Sequence, residues 1–402
     1  MTGARIFLYV QHLLGIGHLK RAAVLARALA GEGFDVTLAS GGMPVPGLDL
    51  RGAGLVQLPP VSAVDASFKT LVDGNGLPIT EAWRGRRARA LLEAWRSARP
   101  DVLVIELFPF GRRQMRFELL PLLEEARARR PRPIVACSVR DVLQSGPRAA
   151  ARAPQTLRWL EQYFDHVLVH GDPAFVPFSA SFPDAGSIAA MLEHTGYIAE
   201  VPDAATRGNA GADEVLVSAG GGAVGYRLLE AAILARPFSE QRARIWRVLA
   251  GVNLPEAEFG ALLALAAQRG EGRVIVERNR SDFRTLLANC RVSVSQGGYN
   301  TVIEALFAGA RALVVPFAGG AESEQSLRAE LLAKRGLVDV LPEPQLAPQS
   351  LAAAIDRAAN RDRPAAHALD LQGGARSARL LRHWVAENGG STPRHRAEAS
   401  GP

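Results

Sequence analysis

Val292-Ser293-Val294-Ser295-Gln296-Gly297-Gly298-Tyr299-Asn300-Thr301-Val302-Ile303-Glu304 runs from a short strand through a double-glycine turn into the start of a helix. Such a junction presents free backbone amides and the positive end of a helix dipole to whatever lies beyond the strand, which suits an anion. Gly297, Gly298 and the Thr301 hydroxyl stand where amides and a hydroxyl hold phosphate oxygens, with Gln296 and Asn300 beside them. Glu304 follows one turn later, and an ionised carboxylate there can accept hydrogen bonds from both hydroxyls of a ribose. Downstream come a short buried strand, 312–315, and a loop leading to Glu322, Glu324 and Gln325 at the next helix start. The helix dipole alone explains the two acids. It does not explain Gln325, which suits recognition of sugar hydroxyls.

Outward from this junction, strand-like and helix-like segments alternate from end to end. That is the pattern of parallel sheets covered by helices. Strands are expected at 6–11, 35–39, 102–106, 134–138 and 166–169, with helical periodicity at 19–30, 81–98 and 118–129 between them. Residues 41–78, rich in glycine and proline, read as long loops over the sheet's carboxyl edge. A composition break at 202–213 reads as a linker. A second series follows, with strands at 215–218, 245–250, 274–277, 292–295 and 312–315. The expectation is an α/β protein of two doubly wound Rossmann-like domains facing across a cleft. They span 1–201 and 214–370, with a final helix over 371–388 and a polar tail at 389–402.

Composition agrees with a globular chain. It has 402 residues, 48% hydrophobic and 22% charged, too many for one ordinary core. No stretch reaches the roughly 18 apolar residues of a transmembrane helix. The apolar start at Arg5–Val10 reads as a first strand, not a signal peptide, so a cytoplasmic location is expected. Cys137 and Cys290 each lie in or beside apolar runs of different domains, which reads as buried thiols. The net charge of +7 is almost all arginine on the cationic side, crowded at Arg84, Arg86, Arg87 and Arg89, at Arg112, Arg113 and Arg116, and at Arg127, Arg129, Arg130 and Arg132. Solvated helix faces account for these clusters. The sharper reading is a surface for membrane headgroups or an acidic acceptor. Nucleic acid is not expected, because no aromatic platform accompanies the charge.

The first strand feeds a second informative turn, Gly15-Ile16-Gly17-His18-Leu19-Lys20-Arg21. A dinucleotide fold would place a third glycine at Lys20 and an acid at the end of the second strand, which instead ends Ala39-Ser40. His18 sits where the helix begins and suits the role of a base taking a proton from a hydroxyl. The bland alternative is a loop-bonding histidine. Glu106 ends the 102–106 run and either orients an acceptor or pairs with Arg112 or Arg113. Arg140 and Asp141 end another strand and are expected to pair with each other, or one of them to contact an acidic acceptor. His170 is a weaker base candidate than His18. Gly220, Gly221 and Gly222, after the opening strand of the second half, suit close approach to a diphosphate or simple packing.

The order Gly298, Thr301, Glu304, Pro316, Gln325, together with Gly15, Gly17 and His18 and the Gly220–Gly222 turn, resembles GT-B glycosyltransferases of the family-28-like branch. That branch contains the lipid-linked peptidoglycan N-acetylglucosaminyltransferase and the galactolipid synthases, and the whole chain looks like its bacterial predicted-glycosyltransferase relatives. The resemblance implies a UDP-sugar donor held by the second domain, with Glu304 on the ribose and the backbone near Arg280 flanking the base. It also implies His18 near the acceptor and a final helix, 371–388, that crosses back to the first domain; the acceptor is left open between a lipid-linked molecule and an acidic glycan. Gln296 and Gly222 depart from the branch, which commonly has a basic or small residue and a serine there. No Asp-x-Asp pair follows an apolar strand, and no histidine or cysteine cluster has ligand spacing, so no metal or cofactor is expected. Helix dipoles would then stabilise the leaving diphosphate. Two other readings share these residues: a UDP-sugar hydrolase in which His18 activates water, and a silent nucleotide-sugar sensor or scaffold that needs no His18.

Overall fold

The computed structural model describes residues 3–65, 68–199, 208–220, 225–251, 254–278, 280–317, 323–364 and 369–390. The first half contains, in order, β1 (Arg5–Val10), α1 (Gly17–Gly31), β2 (Asp35–Ser40), β3 (Ala53–Gln57), β4 (Val61–Ala63), β5 (Leu71–Asp73), α2 (Glu81–Ala98), β6 (Val102–Glu106), α3 (Arg116–Ala128), β7 (Ile134–Arg140), α4 (Pro147–Tyr163), β8 (His166–His170) and β9 (Leu192–His194). The second half contains β10 (Val215–Ser218), α5 (Tyr226–Ala235), β11 (Trp246–Leu249), α6 (Glu256–Arg269), β12 (Val274–Glu277), α7 (Phe283–Asn289), β13 (Val292–Ser295), α8 (Tyr299–Phe307), β14 (Ala312–Val314), α9 (Glu324–Lys334), β15 (Asp339–Val340), α10 (Pro348–Asn360) and α11 (Gly373–Gly390).

Each half is built on one wholly parallel sheet, ordered β3-β2-β1-β6-β7-β8-β9 in the first and β12-β11-β10-β13-β14-β15 in the second. Central strands read as continuous apolar runs because helices cover both faces. Along β1 and β6 the side chains part by parity. Phe7, Tyr9, Leu103 and Ile105 pack with Trp95, Leu119 and Leu160 on one face. Ile6, Leu8, Val102 and Val104 pack with Leu25, Leu29, Leu381 and Trp384 on the other. The last of these partners belong to α11, which returns to the first sheet and stacks the Trp384 indole on the His166 imidazole at 3.5 Å.

Two expectations need correction. Residues 41–78 are not only loops: 53–57 form edge strand β3, and β4 and β5 pair as an antiparallel hairpin. An edge strand that alternates weakly, with Leu55 half exposed, carries little periodic signal. Nor is the arginine on α2 all solvated. Arg87 and Glu118 are fully buried and paired, and Arg87 also donates to Gln11 Oε1 and to the Gly41 carbonyl. A single cation thereby ties α2 and α3 to the loops at the sheet's carboxyl edge.

In both sheets the crevice opens where the strand order reverses, between β1 and β6 and between β10 and β13. Ligands of doubly wound sheets bind at that place. The docking of α11 is testable. Leu381→Ala removes a fully buried side chain from the first core and is expected to cost about 2–5 kcal/mol, read as a lower urea midpoint with unchanged slope.

Candidate functional site

α1 begins directly after the Gly15–Gly17 turn. Ile16 caps it without a side-chain acceptor, and the first bond into the helix runs from Lys20 N to Ile16 O at 2.9 Å. The amides of the first turn therefore have no acceptor within the helix. His18 stands in this turn, and Glu106 ends the neighbouring strand β6. His18 Nδ1 lies 2.7 Å from Glu106 Oε1, and Arg21 Nη2 bonds the same oxygen. Glu106 is 1% exposed, Arg21 2% and His18 16%. An ionised carboxylate only accepts, so Nδ1 carries the proton and Nε2 is left with the lone pair. Burial pushes the His18 imidazole down to about 3, and the guanidiniums of Arg140 and Arg112 push the same way. Burial works to raise Glu106, but attraction to His18 and Arg21 wins and holds it at about 2. Glu106 does not pair with Arg113, which bonds Gln155 and Thr156 instead. Arg112 donates to the Gln11 carbonyl and acts on Glu106 only through its charge.

Across the cleft, β13 leads through Gly297 and Gly298 into α8. Gly297 has φ +84°, and a methyl group there would lie 2.6 Å from Val314 Cγ1, so only glycine fits. Gly298 caps α8 without a side-chain bond, leaving the first-turn amides open. Gly220, also at positive φ, faces Thr301 across the switch point, with Thr301 Oγ1 3.7 Å from where a methyl at Gly220 would sit. Gln296 rests against the Gly225 turn. Glu304 is 24% exposed, one turn into α8, with Arg284 Nη2 3.8 Å away. Arg280 is clamped by Asp282 at 2.7 Å and Glu277 at 3.2 Å. Gly221, Gly222 and Glu322 lie outside the described residues.

The two helix starts meet: a methyl at Gly17 would lie 3.8 Å from Asn300 Nδ2 and 3.6 Å from Arg140 Nη2. Residues 275–379, which hold the whole β13–α8 junction and Gln325, match the glycosyltransferase family 28 C-terminal domain. The matched residues lie within the carboxyl half of the chain. Over 179 residues the chain is 34% identical to the UDP-N-acetylglucosamine–N-acetylmuramyl-(pentapeptide) pyrophosphoryl-undecaprenol N-acetylglucosamine transferase of Aromatoleum aromaticum, which is 44% of this chain and 46% of the relative. The match thus spans a little under half of that relative's length. In three dimensions the chain is similar to CalG4, the calicheamicin glycosyltransferase, with a TM-score of 0.56, 20% identity and 96% and 95% of the two chains covered. It is also similar to MurG of Acinetobacter baumannii, at 0.57, 16% identity and 96% and 99% coverage. The fold is GT-B, two Rossmann-like domains in series.

How the second half grips the first departs from expectation. Glu324 is not simply a ligand for sugar hydroxyls: its carboxylate takes Arg140 Nη1 at 2.7 Å and Arg328 Nη2 at 2.8 Å. Arg140 and Asp141 do not pair with each other either. Asp141 takes Arg328 at 2.8 and 3.2 Å, both side chains fully buried. Gln325 Oε1 accepts the Phe317 amide and ties down the loop after β14. His170, the weaker base candidate, is fully buried with Nε2 on Ser138 Oγ and Nδ1 on Thr195 Oγ1, both at 2.8 Å. Tyr299 was missed altogether. Its hydroxyl donates to the His170 carbonyl at 3.0 Å, and the guanidiniums of Arg21, Arg140 and Arg328 lie 5.5, 5.8 and 5.3 Å from its ring centre. Its place beside Asn300 in the glycine junction was the available signal. Among the described residues, no group of three or more His, Cys, Asp or Glu is placed to hold a metal, and no helix is long and apolar enough to cross a membrane.

His18 and Glu106 both have folded-state values below their ordinary 6.5 and 4.5, so between those limits the unfolded chain binds more protons than the native one. Their contribution to stability is complete above about pH 6.5. It is lost as pH falls, through His18 between 6.5 and about 3 and through Glu106 between 4.5 and about 2. His18→Asn should make the fall in urea midpoint between pH 6.5 and 4.5 shallower; an unchanged slope would contradict a buried neutral imidazole.

Proposed function

We propose that the chain transfers a sugar from a UDP-sugar to an acceptor hydroxyl. One observation carries the reading: the His18–Glu106 pair of the first half stands at the helix start that meets α8 of the family 28 domain, so a base and an anion-holding junction share one cleft. The family 28 match and the UDP-linked donor in the name of the Aromatoleum relative support the donor class.

In this mechanism His18 Nε2 takes the proton of the acceptor hydroxyl as that oxygen attacks the anomeric carbon. The bond from that carbon to the diphosphate breaks, and the proton passes on to solvent. Glu106 acts through His18, fixing the ring and its tautomer. The leaving diphosphate faces the first-turn amides of α8 and the Thr301 hydroxyl, with the Gly17 and Gly220 turns close by, and preorganised dipoles stabilise its charge without a divalent cation. Glu304 holds the ribose diol, and the backbone near Arg280 flanks the base. Gln296, Asn300, Gln325 and Glu324 shape the donor side; the bond Glu324 makes to Arg140 couples sugar recognition to closure of the two halves.

His18→Ala should lower kcat at least about 100-fold, the scale of general-base catalysis, while a UDP-induced thermal shift persists. Glu304→Ala should shrink that shift. Full turnover in the histidine variant, or no nucleotide shift in the parent chain, would sink the proposal. Transfer should also survive EDTA, and sugar release without acceptor should be slow, which separates a transferase from a hydrolase.

The acceptor side is assigned to the arginine-rich face of the first half. A cavity of about 360 Å³ there is lined by Lys69, Arg84 and Arg116 together with Leu71, Ile79 and Phe117, a mix of cations and apolar surface that suits an anionic lipid-linked acceptor. The pyrophosphoryl-undecaprenol acceptor in the relative's name supports the same class, and with it a place at the inner face of the membrane. The protein should sediment with anionic vesicles and not with neutral ones, less so as salt rises. The doubly substituted Arg84→Ala, Arg116→Ala chain should bind them more weakly.

A further inference from the structure

Arg21 follows His18 by three residues on α1, and its guanidinium shares Glu106 Oε1 with the imidazole. Both Arg21 and Glu106 are buried, so water does not screen the contact. A buried carboxylate beside an imidazole ordinarily draws a proton onto the ring, and the resulting imidazolium can accept no other. Here a permanent cation already occupies the carboxylate.

The other groups around the pair do not restore the missing negative charge. Arg112, ahead of α3, and Arg140, at the end of β7, add positive charge. Glu324 on α9 bonds Arg140 and Arg328 and acts on Arg21 through its charge, while Asp141 bonds Arg328. Tyr9 on β1 and Tyr299 on α8 are held neutral by burial. His170 on β8 is neutral between Ser138 and Thr195. The Tyr299 ring, 5.5 Å from the Arg21 guanidinium, closes over it from the other half.

We infer that Arg21 is a positioning residue for the base: by neutralising Glu106 it keeps His18 a neutral imidazole, Nδ1 protonated and Nε2 free to take the acceptor's proton. The inference rests on the transferase reading for its purpose but not for its geometry. When His18 becomes an imidazolium as the new glycosidic bond forms, the surrounding cations favour prompt release of that proton to solvent, which resets the base.

The test is a titration of the full chain with isotope-labelled histidine, followed by NMR, with His18→Gln to assign the signal. In the parent chain His18 should not titrate near its ordinary value. Arg21→Met should move the midpoint up by about one to three pH units, Arg21→Lys should stay close to the parent, and the acid limb of kcat/KM should move with the midpoint. If Arg21→Met does not fold, Arg21→Gln, which removes the same charge and keeps a polar group beside Glu106, should move the midpoint the same way. An unmoved midpoint in a folded Arg21→Met or Arg21→Gln chain, or an equal move in Arg21→Lys, overturns the inference. A moved midpoint in a chain that transfers no sugar would overturn the transferase reading and leave the hold of Arg21 on the imidazole standing.

Discussion

The pair of hydrogen bonds from Arg328 to Asp141 joins the two halves of the molecule through side chains that water does not reach. Removing two charges from water costs several kcal/mol per ion, offset only when donors and acceptors are in register. Such a contact specifies one arrangement more than it stabilises it. It also organises its neighbours: Glu324 reaches Arg140 from the next turn of the same helix, Ser323 meets Ser145, and Tyr299 settles on the His170 carbonyl. The start of α1 is thereby brought against the start of α8 across the cleft.

Within that cleft the charges are unevenly distributed. Around His18 stand three guanidiniums and one carboxylate, and the carboxylate serves both the imidazole and Arg21. The result is a neutral imidazole beside two open helix starts, an environment that favours anionic groups. Burial supplies the low dielectric that makes these few charges count.

The sheet and its junctions were legible in the residues. Val292–Ser295 alternates valine with serine and Val102–Glu106 is an apolar run closed by a carboxylate, and helical periodicity resumes beyond each, so the strands and the helices after them stand within a residue or two of where the pattern puts them. The edge strand β3 was not legible, because one-sided, half-exposed pairing leaves no period in five residues. The burial of Arg87 was equally hidden: its neighbours on α2 are surface arginines, and only Glu118, 31 residues away in sequence, distinguishes it.

By itself the sequence determined what local spacing can determine: two parallel-sheet halves, a glycine turn opening α8, a histidine opening α1 and a carboxylate one turn into α8. Only the tertiary structure decided which charge answers which. Asp141 chose Arg328 over its neighbour Arg140, Glu324 bridged the halves, and Glu106 divided one oxygen between His18 and Arg21. Ion pairing depends on distance and dielectric in the folded chain, and residues more than 80 positions apart are brought to under 3 Å by sheet order and domain closure, which no local pattern encodes.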